Sequence, residues 1–271
     1  AETYAAALAS FRRFRNGEDI VIDAINADIV EDYEAYLKFR GVTPNTTSFY
    51  MRILRAVYNR AVESGAVECH PFRHVYTGVG KTAKRALSLS VIRKIKLLDL
   101  SALPQADYAR DMFMMSFYFR GMSFIDMAFL RKTDLRCGYI TYRRRKTGQT
   151  LVIKWTADMQ EILDKYAMNP TEYLLPIIIS NGVADRVAYL RAGNHINYQL
   201  KKIAVMVGVT VPLTMYCARH SWASAARAKG VPVSIISEGM GHDSEATTRI
   251  YLEALDTSSV DKANDKILRS L

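Results

Sequence analysis

Residues 213–255 read LTMYCARHSWASAARAKGVPVSIISEGMGHDSEATTRIYLEAL and concentrate the reactive side chains of the chain. Arg219 and His220 are adjacent in a segment with helical periodicity, His242 follows at a glycine turn, and Tyr251 comes shortly after it. A guanidinium group forks onto two phosphate oxygens, and an imidazole donates a hydrogen bond or moves a proton. A phenol oxygen attacks phosphorus and holds it covalently. In this order the four side chains indicate a site for a phosphodiester.

This stretch resembles the catalytic signature of the tyrosine recombinases, the phage-integrase family. Their pattern is His-x-x-Arg, then a Gly-His or Gly-Trp turn, then the nucleophilic tyrosine. The resemblance assigns the Arg to Arg219, the later His to His242 and the nucleophile to Tyr251. Tyr216 stands where the family usually has the first His, and a phenol donates a hydrogen bond but carries no imidazolium charge. We expect His220 to buttress Arg219 or to contact the phosphate. For each residue alone a surface or packing role is the favoured interpretation, and the case for a site depends on their joint spacing.

Composition favours a polyanionic partner. The 271 residues carry a net charge of +10, and the isoelectric point is near 9.5, a balance typical of nucleic-acid binding. There is no run of 18 apolar residues and no leader pattern, so we expect no membrane partner and a cytoplasmic location. Three cysteines without a Cys-x-x-Cys pair argue against a disulfide scaffold or a zinc site, and His70 and His74 are interpreted as DNA-facing or packing residues. No metal and no cofactor are therefore expected.

The first 77 residues are predicted to form a small helical domain with a basic face. Helical patterns cover residues 3–16, a segment that Asp28 would cap, and a segment from Pro44, and a short fourth helix or turn follows. Tyr4, Leu8, Phe11 and Arg15 are the predicted stripe of the first helix. Arg52 and Arg55 of the third helix are predicted to contact DNA phosphates, with a solvated charged surface as the alternative.

A basic strip at residues 78–86 is predicted to link this domain to a catalytic domain at residues 87–271. Lys81, Lys84 and Arg85 would allow the strip to cross DNA. In the family a similar linker joins a helical core-binding domain to the catalytic domain, so the resemblance extends in helix layout over nearly the whole chain. Many integrases carry a further N-terminal arm-binding domain, which these 271 residues lack either by nature or by truncation.

The first catalytic Arg of the family falls in a region that departs from the pattern. Residues 107–135 are predicted to form two helices broken at Gly121, and Asp126 and Asp134 match the spacing of the family's acidic pair. The family's Arg would stand at Ser123. We assign its role to Arg120, whose long side chain reaches a phosphate from several directions, with a purely structural Arg120 as the alternative.

Residues 138–155 are predicted to form a β-hairpin, in which Ile140 and Tyr142 alternate with polar residues. The hairpin resembles one in the family whose Lys enters the site, which here is Lys146, and its ammonium would protonate the leaving 5′-oxygen. Arg143, Arg144 and Arg145 are expected to hold phosphates, with an exposed charged turn as the alternative.

Further helices are predicted at residues 157–167, at 194–207 and from residue 231, and residues 169–191 show no clear period. A tail helix from about residue 257 has an apolar face, which in the family docks into a neighbouring protomer. The alternative is that the tail packs on its own domain.

The predicted fold class is mainly α with a small antiparallel β-sheet (α+β). The resemblance implies a site-specific DNA recombinase, an integrase of a mobile element, that performs integration or excision through a 3′-phosphotyrosyl intermediate. Its partners would be double-stranded DNA sites, a homo-tetramer assembled from free monomers, and accessory DNA-bending proteins. A type IB topoisomerase-like enzyme and a catalytically impaired DNA-binding relative are the alternatives.

Overall fold

The computed structural model of the chain describes residues 2–80, 85–179 and 182–242, together with positions 244, 245, 248, 252 and 268. Contacts within the chain divide it into two units, Ala1–Ala83 and Lys84–Leu271. None of the helices in the described part of the chain is long and apolar enough to cross a membrane.

The first unit is built on three α-helices: α1 at Glu2–Phe14, α2 at Ala27–Phe39 and α3 at Pro44–Glu63, with a 3₁₀ turn at Ile22–Ala24. The predicted inner face of α2 is confirmed, because Val30, Tyr33 and Leu37 are all buried. The Tyr33 hydroxyl donates a hydrogen bond to Ser10 Oγ at 2.8 Å, so α1 and α2 share a buried polar contact in an otherwise apolar core.

Two predictions for this unit need correction. The α2 helix is capped by Asn26, whose side chain accepts a hydrogen bond from Ile29 N at 3.0 Å, rather than by Asp28. The buried face of α1 consists of Ala7, Ser10 and Phe11, so the predicted stripe is right at Phe11 and wrong at Leu8, which is 63% exposed. After α3 the chain forms a turn at residues 71–74, one of the two alternatives predicted there.

The second unit contains seven helices and three strands in its described part. The helices are α4 Leu89–Leu97, α5 Pro104–Tyr118, α6 Phe124–Ala128, α7 Ala157–Asp164, α8 Asp185–Met206, α9 Met215–Ala228 and α10 Val233–Met240. The central helix is α5, which is buried along most of its length and packs against α4, α7, α8 and α9. Its break near Gly121, as predicted, directs the chain back towards α9.

The strands β1 Leu135–Arg136, β2 Tyr139–Arg143 and β3 Thr150–Lys154 form one antiparallel sheet in that order. The predicted hairpin is confirmed as β2 and β3, with Ile140 paired to Ile153 and Tyr142 paired to Leu151. These four side chains are buried, so one face of the hairpin covers the helical core.

The α8 helix begins at Asp185, nine residues before the predicted start at residue 194. A glycine weakens a helical pattern in the sequence, and Gly193 interrupts it here. The structure explains this glycine, since a Cβ atom at position 193 would lie 3.0 Å from Phe124 Cε1. The glycine therefore permits close packing of α8 on α6.

Candidate active site

Arg219 is buried at the centre of the candidate site, with 4% of its surface exposed. It projects from the first half of α9. Its Nη1 atom donates a hydrogen bond to Gly121 O at 2.6 Å, and its Nη2 atom donates one to Met240 O at 2.8 Å. One guanidinium group thus joins the turn after α5 to the end of α10.

The turn after α5 is shaped for this contact. Arg120 and Gly121 both have positive φ, at 58° and 72°. A Cβ atom at position 121 would lie 2.7 Å from Arg219 Cα, so only glycine allows the turn to approach α9 this closely. Arg120 itself is half-buried, and its Cδ atom lies 3.7 Å from the place where a Cβ of Gly239 would stand. The assigned Arg120 is therefore next to α10, the helix that leads to His242.

His242 follows Gly241, which ends α10 in the left-handed conformation at φ 64°. Its Nε2 atom lies 2.8 Å from Arg219 Nη2, and its Nδ1 atom lies 2.7 Å from Thr248 Oγ1. Because a guanidinium group only donates, Nε2 must accept and the ring proton belongs on Nδ1. Burial, together with the nearby charges of Arg219, Arg144 and Lys146, lowers the pKa of His242 to about 4. The imidazole is therefore neutral near pH 7.

The hairpin delivers one buried and two exposed guanidinium groups. Arg144 is 7% exposed and its Nη1 atom donates a hydrogen bond to Gly241 O. Arg143 and Arg145 are exposed, with Arg143 Nε bonded to Gly148 O at 2.9 Å and the Arg145 guanidinium 4.1 Å from the centre of the Phe129 ring. The alternative of an exposed charged turn is therefore wrong for Arg144, whose side chain is buried against the end of α10.

Asp126 holds the hairpin turn against α6. Its carboxylate is buried, accepts hydrogen bonds from Ser123 Oγ at 2.6 Å and Arg145 N at 2.9 Å, and lies 3.9 Å from Arg144 Nε. Ser123 also caps α6, since its side chain accepts a hydrogen bond from Asp126 N. The position where the family has its first Arg is thus occupied by a helix cap.

A cavity of about 400 Å³ lies beside Arg219. Two residues that the sequence assigned to the site, Arg85 and Tyr216, line this cavity together with Ser123. The Tyr216 and His220 rings meet edge to face, with centres 4.5 Å apart. Burial lowers the pKa of His220, and the charges of Arg85 and Arg219 act in the same direction. The structure therefore brings Arg85, Tyr216 and His220 to the same side of Arg219.

The remaining assigned residues are dispersed or lie outside the described part of the chain. Lys146 is exposed at the hairpin turn, close enough for its charge to lower the pKa of His242. Arg52 is exposed and Arg55 is half-buried on α3 of the first unit. The assigned residues outside the described part are Tyr251, Lys81 and Lys84, and the same holds for the tail from residue 257, Leu268 excepted.

One contributor, Thr248, was missed in the sequence, because no local pattern indicates its contact with His242 Nδ1. Asp126 was recognised by its spacing from Asp134, but its contact with the hairpin turn was not predicted. A signal existed for the burial of Arg144, because it continues the alternation of the buried Ile140 and Tyr142 one residue beyond the end of β2. Among the described residues no group of three or more His, Cys, Asp or Glu side chains is arranged to hold a metal ion.

Comparison with known proteins identifies the relatives of this chain. The family described as phage integrase SAM-like domain matches residues 1–78. A tyrosine recombinase of Pseudothermotoga lettingae is 23% identical over 272 residues, which cover 96% of this chain and 89% of the relative. The tyrosine recombinase XerA of Thermococcus onnurineus is 25% identical, with 85% of this chain and 92% of the relative covered.

Solved structures share the fold. A lambda integrase fragment, residues 75–356, in a dimer bound to a COC′ core site superposes with a TM-score of 0.71 at 14% identity, covering 92% of this chain and 86% of that one. The Tn1549 transposon integrase in complex with a circular intermediate DNA gives a TM-score of 0.72 at 15% identity, with 98% and 93% covered.

The predicted α+β fold is confirmed, and it is the fold of DNA integrases. The chain is similar along most of its length to tyrosine recombinases, as the motif around Arg219 and His242 predicts, and its first 78 residues match the phage integrase SAM-like domain.

Proposed function

We propose that this chain is a site-specific DNA recombinase that breaks and rejoins strands through a 3′-phosphotyrosyl intermediate. The observation that carries the proposal is the buried contact between Arg219 and His242, surrounded by the charges of Arg144 and Lys146. A site rich in preorganised cations and hydrogen-bond donors suits a phosphoryl transition state, in which negative charge accumulates on the non-bridging oxygens.

The proposed reaction has two transesterification steps. The Tyr251 oxygen attacks the scissile phosphate and its phenol proton passes to solvent, while a P–O bond to the tyrosine forms and the bond to the 5′-oxygen breaks. Lys146 donates a proton to the leaving 5′-oxygen. The 5′-hydroxyl of the partner strand then attacks the phosphotyrosine and gives its proton to Lys146, and the phenol oxygen leaves and takes up a proton from solvent. The number of phosphodiester bonds is conserved, so the reaction needs no external energy source.

The donors to the phosphate in this proposal are Arg219, His242 and Arg120, with Tyr216 as a neutral donor. Burial and three neighbouring cations keep the His242 ring neutral. It would therefore donate to the phosphate through Nε2 once the ring proton moves there from Nδ1, with Thr248 Oγ1 then donating to Nδ1. Arg219 Nη2 donates hydrogen bonds to both Met240 O and His242 Nε2. When DNA binds, one of these two hydrogen bonds would be replaced by a hydrogen bond to a phosphate oxygen. His220 fixes the Tyr216 ring beside Arg219.

DNA is the proposed partner, and assembly on DNA is proposed to be multimeric. Lambda integrase has been solved as a tetramer bound to a Holliday junction, and this chain superposes on it with a TM-score of 0.68. The residues proposed to contact the DNA backbone are basic and flank the site or lie on the first unit: Arg52, Arg55, Lys81, Lys84, Arg85, Arg143, Arg144 and Arg145. We further propose a monomer in free solution, a tetramer on two synapsed duplexes and accessory DNA-bending proteins. Residues 1–77 and 87–271 would be the core-binding and catalytic domains.

The test selects the target sequence and detects the covalent intermediate in one step. A library of nicked duplexes with a randomised core is incubated with the chain, denatured in detergent and recovered by the protein still attached. With a nick near the scissile bond, cleavage releases a short fragment that carries the 5′-hydroxyl. This fragment diffuses away, so religation cannot occur and the covalent adduct accumulates. Recovery of one enriched sequence, linked through its 3′-phosphate, is the expected result.

The matched control is Tyr251→Phe, which removes a single oxygen. It is expected to retain DNA binding and form no adduct. An adduct with the Phe variant would remove Tyr251 from the nucleophile role. Specific binding without adducts from the unchanged chain would instead identify a catalytically impaired relative.

A further inference from the structure

Arg144 is the second buried guanidinium group of the site, and the proposed function so far gives it only a general contact with DNA. Its burial is unusual for a hairpin turn, where charged side chains normally extend into water. The Arg143 and Arg145 side chains on either side are exposed. Of these three consecutive Arg residues, Arg144 alone is therefore buried.

The placement of Arg144 parallels that of Arg219. Arg144 donates to Gly241 O, and Arg219 donates to Met240 O, so the two guanidinium groups bind consecutive carbonyl groups at the end of α10. Both charges lower the pKa of His242. They therefore flank one imidazole from two elements, the hairpin and α9.

Position 123 cannot supply the missing guanidinium group. Ser123 caps α6 and donates to the Asp126 carboxylate at 2.6 Å. The same carboxylate binds Arg145 N and lies 3.9 Å from Arg144 Nε. The serine and the aspartate thus orient the hairpin turn that carries Arg144.

The charges around Arg144 favour an anion. Burial and the Asp126 carboxylate raise the pKa of the Tyr142 phenol, whereas the guanidinium groups of Arg219, Arg144 and Arg120 all act to lower it, so three cations and one carboxylate surround this ring. The hairpin turn also holds two buried polar atoms, Thr147 Oγ1 and Gln149 Oε1, for which the described residues provide no hydrogen-bond partner. A polar ligand at this turn would satisfy such groups.

We infer that Arg144, rather than Arg120, takes the role of the Arg that the family has at the position of Ser123, as a catalytic residue that contacts a non-bridging oxygen of the scissile phosphate. Arg120 remains a separate proposed donor. The inference rests on the proposed function. Removal of one preorganised donor to a phosphoryl transition state slows the chemical step by roughly a hundredfold to a thousandfold.

The experiment compares two substrates that differ in charge at the scissile position. Single-turnover adduct formation is measured on the recovered target, first with a phosphate and then with an uncharged methylphosphonate at the scissile bond. The Arg144→Gln variant is expected to form adducts about a hundredfold or more slowly than the unchanged chain on the phosphate substrate. Most of that loss is expected to disappear on the methylphosphonate, because little negative charge then needs stabilisation.

Arg136→Gln is the matched control, since Arg136 is an exposed residue of β1 that takes no part in the proposed site. It is expected to cleave both substrates like the unchanged chain. The same fold-loss for Arg144→Gln on both substrates would overturn the inference, because a displaced His242 or a distorted hairpin slows both reactions equally. If Arg144→Gln has no cooperative thermal transition, Arg144→Lys is measured with the same two outcomes. Absence of adducts from the unchanged chain on phosphate DNA would contradict the proposed function instead.

Discussion

Arg219 Nη2, on α9, and His242 Nε2, two residues after the end of α10, lie 2.8 Å apart. The contact requires the imidazole to accept, so it exists only while His242 is neutral. Protonation would place a second positive charge against a buried guanidinium group. The site therefore couples the protonation state of one residue to the stability of the second unit.

We predict that this coupling is visible in the pH dependence of unfolding. The folded-state pKa of His242 is lowered to about 4 from 6.5, so its contribution to stability is complete above pH 6.5 and is lost as the pH falls towards 4. The loss amounts to about 3 kcal/mol over that window. The measurement is the difference in unfolding free energy between the unchanged chain and His242→Asn, from denaturant titrations between pH 7 and pH 4. Parallel curves for the two proteins would contradict the prediction.

A second prediction concerns the glycine beneath Arg219. Gly121→Ala is expected to destabilise the second unit by about 2–5 kcal/mol, because it adds an overpacked Cβ to a left-handed residue. Gly138→Ala is the matched control, since Gly138 has a similar φ of 76° but no atom within 4 Å of its Cβ position. The control is expected to cost only about 1–2 kcal/mol. Equal losses in thermal or denaturant unfolding would show that the approach to Arg219 is not tight.

The sequence predicted the helices and strands that carry the site better than it predicted which of their side chains are buried. Periodicity and the Gly-His turn were sufficient for α9, α10 and the hairpin, because each is encoded by residues that are neighbours in the chain. The alternation of Ile140 and Tyr142 indicated a buried position for Arg144, but its partners, Asp126 and the carbonyl of Gly241, are distant in sequence, so the prediction treated Arg143, Arg144 and Arg145 alike as phosphate contacts. The early start of α8 was missed for a similar reason. Gly193 weakens the helical pattern in the sequence, but it is needed because Phe124, distant in sequence, packs where a Cβ atom would stand.

The third prediction tests the role assigned to Arg120. Its half-buried side chain lies against α10 near Gly239, and we expect Arg120→Ala to slow cleavage by about a hundredfold or more if it donates to the phosphate. The measurement is the single-turnover rate of adduct formation at saturating DNA. Arg136→Ala provides a control for loss of a guanidinium group elsewhere on the unit. A rate like that of the unchanged chain would mean that the site works without Arg120.

The last prediction asks whether a guanidinium group at position 123 replaces Arg144. Ser123 lines the cavity of about 400 Å³ beside Arg219, so a long side chain at this position has space near the phosphate-binding groups. In an Arg144→Gln background, Ser123→Arg is expected to recover about tenfold or more of the cleavage rate, because it returns a donor to the transition state. Loss of the α6 cap would cost about 1 kcal/mol of stability, and Ser123→Gln in the same background loses the same cap without adding charge. Recovery with Arg but not with Gln, measured as single-turnover adduct formation, is the expected outcome. Equal rates for the two double variants would show that position 123 does not reach the phosphate in this protein.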